Sequence, residues 1–167
     1  MKNIVWLLLA LIFISCGNDN KVTQEIETIP VSFEMERFDK LFYESKPEEL
    51  NIVKAKYPYF FPEGNEDTVW TNKLKNPLLR ELYNEVQEKY ANLNPLKEDL
   101  TAFFKHVQFY FPKYKTPRVI TLISEVNLDT KAIYADSLAL LSLDCYLGEN
   151  HKFYTDFPAF KRISLNE

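Results

Sequence analysis

Two histidines, His106 and His151, are the only imidazoles in a chain of 167 residues. Four groups with possible chemistry fall close together near the C-terminus: Asp144, Glu149, His151 and Asp156. Carboxylates beside an imidazole can hold a divalent metal or tune a general base. Their spacing matches no ligand motif, and irregular acidic loops commonly contain such groups, so a solvated loop is the commoner reading. His106 lies between Lys105 and Val107 in an aromatic helical stretch, where a surface role outweighs a ligand role. No H-E-x-x-H, C-x-x-C, G-x-S-x-G or P-loop pattern is present. The residues therefore nominate no catalytic group, no metal ligand and no cofactor.

Cys16 is different, because its surroundings give it a job. Met1-Lys2-Asn3 is a short positive stretch, and Ile4 through Ile14 is unbroken apolar sequence. As a helix that run rises about 16 Å, half of the roughly 30 Å hydrocarbon core, so it suits a secretory signal better than a span. It stops at Phe13-Ile14-Ser15-Cys16-Gly17. A small residue, then Cys, then Gly resembles a bacterial lipobox, although Phe13 stands where Leu is commoner. In such signals the thiol takes a diacylglyceryl group and cleavage leaves Cys16 as the N-terminus, with a further fatty acyl group such as palmitate. Two acyl chains give stable anchoring where one is marginal. The expectation is a signal peptide over 1–15, a polar tether over 16–31 and an α+β domain over 32–167. Cys145, in the apolar stretch Leu140–Leu147, is then the remaining thiol and reads as a buried small hydrophobe.

The elements that position these groups follow from periodicity. Phe38, Leu41 and Phe42 predict a short helix within 36–43. Pro47, Glu48 and Glu49 predict a helix start that runs to about Tyr57, and another short helix covers 66–74. Two clearer helices, at 77–90 and 95–111, open with the same tripeptide, Asn76-Pro77-Leu78 and Asn94-Pro95-Leu96. Asn caps the first amides and Pro tolerates the first helical position. Their stripes predict core faces: Leu79, Leu82, Tyr83, Val86 and Tyr90 in the first, and Leu96, Leu100, Phe103, Phe104, Val107 and Tyr110 in the second. Pro117–Ser124 is β-branched and predicts a strand, and 125–130 a turn. Ala132–Tyr134 and Leu138–Leu147 supply one long or two short strands, the second buried on both faces near its start. Helices followed by strands give α+β, an N-terminal helical region followed by a small sheet.

Composition narrows the function classes. The chain is acidic, with a net charge of −4, and lacks the basic stripe a phosphate backbone requires, so nucleic acid is excluded as a partner. Thirteen Phe, ten Tyr and two Trp either fill a small core or mark an interface, and the pattern alone accommodates both.

Several blocks together resemble a known family: Tyr57-Pro58-Tyr59-Phe60-Phe61-Pro62, the strand Val119–Ile123, Leu143-Asp-Cys-Tyr-Leu-Gly148 followed by Phe153-Tyr154, and Phe157-Pro158. With the lipobox, they look like the gliding-motility lipoprotein GldB family, over nearly the whole chain but only the first half of the family's usual length. The resemblance implies a non-enzymatic envelope lipoprotein, facing the periplasm, that serves gliding and its associated secretion alongside protein partners of the motility machinery. The family also looks distantly similar to zinc peptidases in which a strand like 137–147 precedes a helix carrying H-E-x-x-H. The fold implied is then an incomplete zincin-like domain. No such motif occurs before Glu167, so only Cys16 carries over, as the lipid attachment site. Two alternatives stand beside this reading: an N-terminal fragment of a peptidase-like enzyme, and a generic lipid-anchored binding module. If the chain is a truncated form, an apolar face of Leu140, Leu141, Leu143 and Leu147 is expected to be partly bare and to self-associate through a strand edge.

Overall fold

The structure, a computed structural model, describes residues 19–165; Cys16 and the signal segment lie outside them. Two compact units are present. One comprises residues up to Ser32 with Asn94–Thr116, the other Phe33–Leu93 with Pro117 onward.

In the first unit, α1 (Asp19–Glu27) and α6 (Asn94–Tyr110) pack together. The sequence offers no periodic element before Val31, yet α1 forms, buries Ile26, and is tied by Lys105 Nζ donating to the Glu27 carbonyl at 2.7 Å. Its two apolar residues, Val22 and Ile26, are too few for a periodicity to register, and the partner helix supplies the missing context.

The second unit holds a mixed four-stranded sheet of order β1-β2-β4-β3. Its strands are β1 (Met35–Arg37), β2 (Arg118–Leu122), β3 (Ala132–Ala135) and β4 (Leu138–Ser142). β1 runs parallel to β2 and β2 to β4, while β3 returns antiparallel against β4. A two-residue turn joins β3 and β4, with Asp136 at φ 54°, a left-handed position that Asp tolerates better than most residues. The helices are α2 (Phe38–Glu44), α3 (Leu50–Lys56), α4 (Asp67–Lys75), α5 (Pro77–Lys89) and the short α7 (Ala159–Arg162). The architecture is α+β, with the helices mostly N-terminal. No helix among the described residues is long and apolar enough to cross a membrane.

The core of this unit is aromatic. Phe42, Tyr43, Val53, Tyr57, Phe61, Tyr83 and Ile120 are buried in one cluster. Tyr43 stacks on Tyr83 with centroids 5.2 Å apart, and Phe61 meets Trp70 edge-on at 4.8 Å. Each such side chain contributes roughly 1.5–3 kcal/mol by leaving water. α5 starts as its sequence demands: the Asn76 side-chain oxygen accepts from the Leu78 and Leu79 amides at 2.9 and 3.3 Å, and Pro77 follows at the first helical position. Its stripe of Leu79, Leu82, Tyr83, Val86 and Tyr90 is buried throughout.

Three expectations change. The α6 stripe is not a core face: only Phe104 is buried, and Phe103 and Tyr110 are 57% and 63% exposed. The apolar run that opens β4 is half-buried, and full burial begins only at the last strand residue, Ser142, and continues through the single 3-10 turn Leu143–Cys145. Hydrogen-bonded neighbours on both sides do not by themselves cover a strand's two faces. The open edge is not β4, which lies between β2 and β3; of the face expected to be partly bare, Leu143 is 1% exposed while Leu140, Leu141 and Leu147 are half-buried. β1 was invisible because Met-Glu-Arg is too short to alternate.

Candidate functional site

The C-terminal ends of β1 and β2 lie side by side, with Arg37 opposite Thr121. A polar network gathers there. Asp39, in the first turn of α2 and 1% exposed, accepts from Arg37 Nε at 3.0 Å, Arg37 Nη2 at 2.6 Å, Gln87 Nε2 at 3.0 Å and Thr121 Oγ1 at 2.5 Å. Arg37 spends its remaining donors on the Gln87 side-chain oxygen at 2.9 Å and the Tyr90 carbonyl at 3.1 Å. This charge-assisted fork satisfies a buried carboxylate that would otherwise be costly. Its lone pairs are committed, so Asp39 is built as a brace between β1, β2 and α5 rather than as a base.

Beside the brace is a cavity of about 150 Å³, lined chiefly by Phe38, Phe42, Phe60, Phe61 and Trp70, with Lys73 paired to Glu125. Ligand pockets for drug-sized molecules are typically about 300–1,000 Å³. The space here suits one ring or one aliphatic side chain. Glu125 belongs to a strained turn: Glu125 and Val126 have φ of 61° and 57°. The left-handed region costs an L-residue about 1–2 kcal/mol, and β-branched Val126 is an outlier there.

Asp144 holds that turn in place. Fully buried, it accepts from the Ser124 amide at 2.9 Å and the Val126 amide at 2.6 Å. Burial pushes its carboxyl above the ordinary carboxylate range, while the two backbone donors pull the other way. Tyr154 locks the next segment, donating to the Asp144 carbonyl at 2.6 Å and accepting from the Leu147 amide at 2.9 Å. Cys145 sits alongside, its thiol pushed up to about 11, first by burial and then by the Asp144 charge. That makes it a packed sulfur and not a nucleophile.

The C-terminal polar residues do not converge. Asp144 faces the 124–126 turn, whereas His151 Nε2 lies 3.3 Å from Glu85 on α5 and stacks on Phe153. Lys152 joins the same helix, with Nζ 2.6 Å from both Glu81 and Glu85, and holds the Glu85 carboxyl below its usual range together with His151. Asp156 is exposed, as is His106 on α6. Among the described residues no three His, Cys, Asp or Glu side chains group as a metal site. The Arg37–Asp39–Gln87–Thr121 network escaped the sequence reading because its members come from three separate stretches. Its one local trace is the Arg-x-Asp step from strand to helix.

The fold is α+β, and its second unit carries this braced, aromatic-lined cavity. The family model for the gliding motility protein GldB matches residues 19–167, and the chain belongs to this family of gliding-motility lipoproteins. No curated protein and no solved structure matched.

Proposed function

We propose that this protein is anchored by an acylated Cys16 to a membrane of the cell envelope, faces the periplasm, and serves gliding motility and its associated secretion as a non-enzymatic accessory. The supporting observation is positional: the family match begins at residue 19, three residues after a cysteine that closes a signal-shaped apolar run. Residues 1–15 are then the cleaved signal. The braced carboxylate and the inert thiol favour a binding role over turnover, and the partners are envelope proteins of the motility machinery.

The test is Cys16→Ala in cells. The variant is expected to lose incorporation of a fatty-acid analogue, to move from the detergent phase to the aqueous phase, and to abolish spreading on agar, the same outcome expected of gene deletion. Labelling unchanged by the substitution would overturn the anchor. Stoichiometric zinc with chelator-sensitive hydrolysis would overturn the non-enzymatic role.

A further inference from the structure

Five tyrosines are buried among the described residues: Tyr43, Tyr57, Tyr83, Tyr90 and Tyr154. Four of their hydroxyls are tied. Tyr57 donates to Glu36, Tyr83 to Glu44, Tyr90 to the Tyr146 carbonyl and Tyr154 to the Asp144 carbonyl. Tyr43 is the exception. Its carbonyl accepts from Arg80, but its hydroxyl has no hydrogen-bond partner among the described residues, although the residue is only 5% exposed. A buried polar group left unpaired costs stability, so each one in a native fold calls for an explanation.

The cavity beside the brace supplies one. Tyr43 lines it together with Phe42, Phe61 and Trp70, all within the second unit. The hydroxyl is not sealed off, unlike Trp70 Nε1 in the same wall, so open space adjoins it. A cavity of about this volume with aliphatic and aromatic walls takes up one benzene ring. Its buried end is Phe42, Tyr43 and Phe61, and its outer end is the partly exposed ion pair of Lys73 and Glu125, a weak kind of contact that opens readily. The turn that sets Glu125 there is held in left-handed backbone, with Asp144 spent on fixing it, and such strain collects at binding sites. Burial, then the charges of Glu125 and Asp144, push the Tyr43 phenol up, so it stays a protonated donor. The same negative field opposes an anion in the cavity. Lys73 is already paired with Glu125, and Asp39 is committed to Arg37, so neither charge is left for a ligand.

We propose that this cavity is a binding site for a single neutral phenol ring, which packs against Phe42, Phe61 and Trp70 and accepts a hydrogen bond from the Tyr43 hydroxyl. The ring is that of a free small phenol or of a tyrosine side chain on another protein, and the chemistry recognised is the same in both. The site goes beyond the anchor and motility reading and depends on neither.

The experiment uses the full chain in detergent solution. Trp6→Phe leaves Trp70, in the cavity wall, as the sole indole, and its emission reports occupancy. Titration with 4-methylphenol is expected to shift that emission to saturation. Toluene should bind roughly fivefold more weakly, the worth of one net hydrogen bond. Tyr43→Phe removes an oxygen that has no partner and keeps the ring against Tyr83, so it should fold as wild type does and bind the two probes equally. Ile123→Trp, which fills the cavity, should remove the response, and 4-methylbenzoate should not displace the phenol. N-acetyltyrosinamide separates the two sources: uptake at least as tight as that of 4-methylphenol identifies a protein side chain, and weaker uptake a free phenol. The absence of any saturable response to 4-methylphenol would overturn the proposal. So would a preference for the phenol over toluene that survives in Tyr43→Phe, a response that survives in Ile123→Trp, or displacement by the benzoate.

Discussion

α5 and α6 begin with the same three residues, Asn-Pro-Leu, and both carry apolar stripes at helical spacing. In α5 the stripe is buried from Leu79 to Tyr90, whereas in α6 one residue, Phe104, is buried and the rest of the stripe is open or half-open. The start signal is local and works at both sites. What differs is the company. α5 carries Gln87 into the Asp39 brace and Tyr83 onto Tyr43, and presents Glu85 to His151. α6 lies in a unit whose other described helix, α1, has nine residues and buries one apolar side chain. An amphipathic stripe states that a face seeks an apolar surface. It does not state whether that surface is protein or lipid.

The largest effect that would test this contrast is core truncation. Leu82→Ala in α5 should destabilise the protein by about 2–5 kcal/mol, as a buried leucine leaving a cavity does. Phe103→Ala in α6 should stay within about 0.5 kcal/mol, the range of ordinary surface changes. Urea midpoints measure both, and a comparable loss for the two would show that α6 is as deeply packed as α5.

A smaller effect concerns the strained turn of the same well-tied unit. Asp144→Asn sets an amide nitrogen against one of two backbone donors and should cost about 1–3 kcal/mol. The folded carboxyl is raised above its unfolded value of about 3.9, so its linked stability is fully present below that value and is lost as pH rises through the folded one. The gap between wild type and variant should therefore be widest in acid and narrow toward neutrality. A gap that widens with pH would mean the backbone donors outweigh burial at this site.

The smallest effect is at the shared helix start. Asn76→Ala removes an acceptor used by two amides and should cost about 1 kcal/mol, read as a shift in thermal midpoint. An unchanged midpoint would place the stability of α5 wholly in its packing and none in its cap.

Much of the fold was legible because it is local. β2 reads from the β-branched run Val119–Thr121, and the helix starts read from Asn, Pro and early acids. β1 did not read, since three residues carry no period, and α1 did not because Ile26 is its one buried apolar anchor. The brace was illegible because Asp39, Gln87 and Thr121 come from distant stretches. The polar residues near the C-terminus read as a group because they are close in sequence, yet the chain turns Asp144 toward Ser124 and Val126 and His151 toward Glu85.

The sequence by itself determined the α+β class, the Asn-Pro helix starts, the lipobox-like setting of Cys16 and the family resemblance. Each of these depends on residues a few positions apart, where helical and strand geometry fix the neighbours. The tertiary structure alone decided that β4 is interior while β1 and β3 are the edges, that α5 is covered while α6 keeps an open aromatic face, and that Asp144 serves a strained turn. Those outcomes turn on contacts between residues tens of positions apart, and a linear pattern does not specify which distant surface meets which.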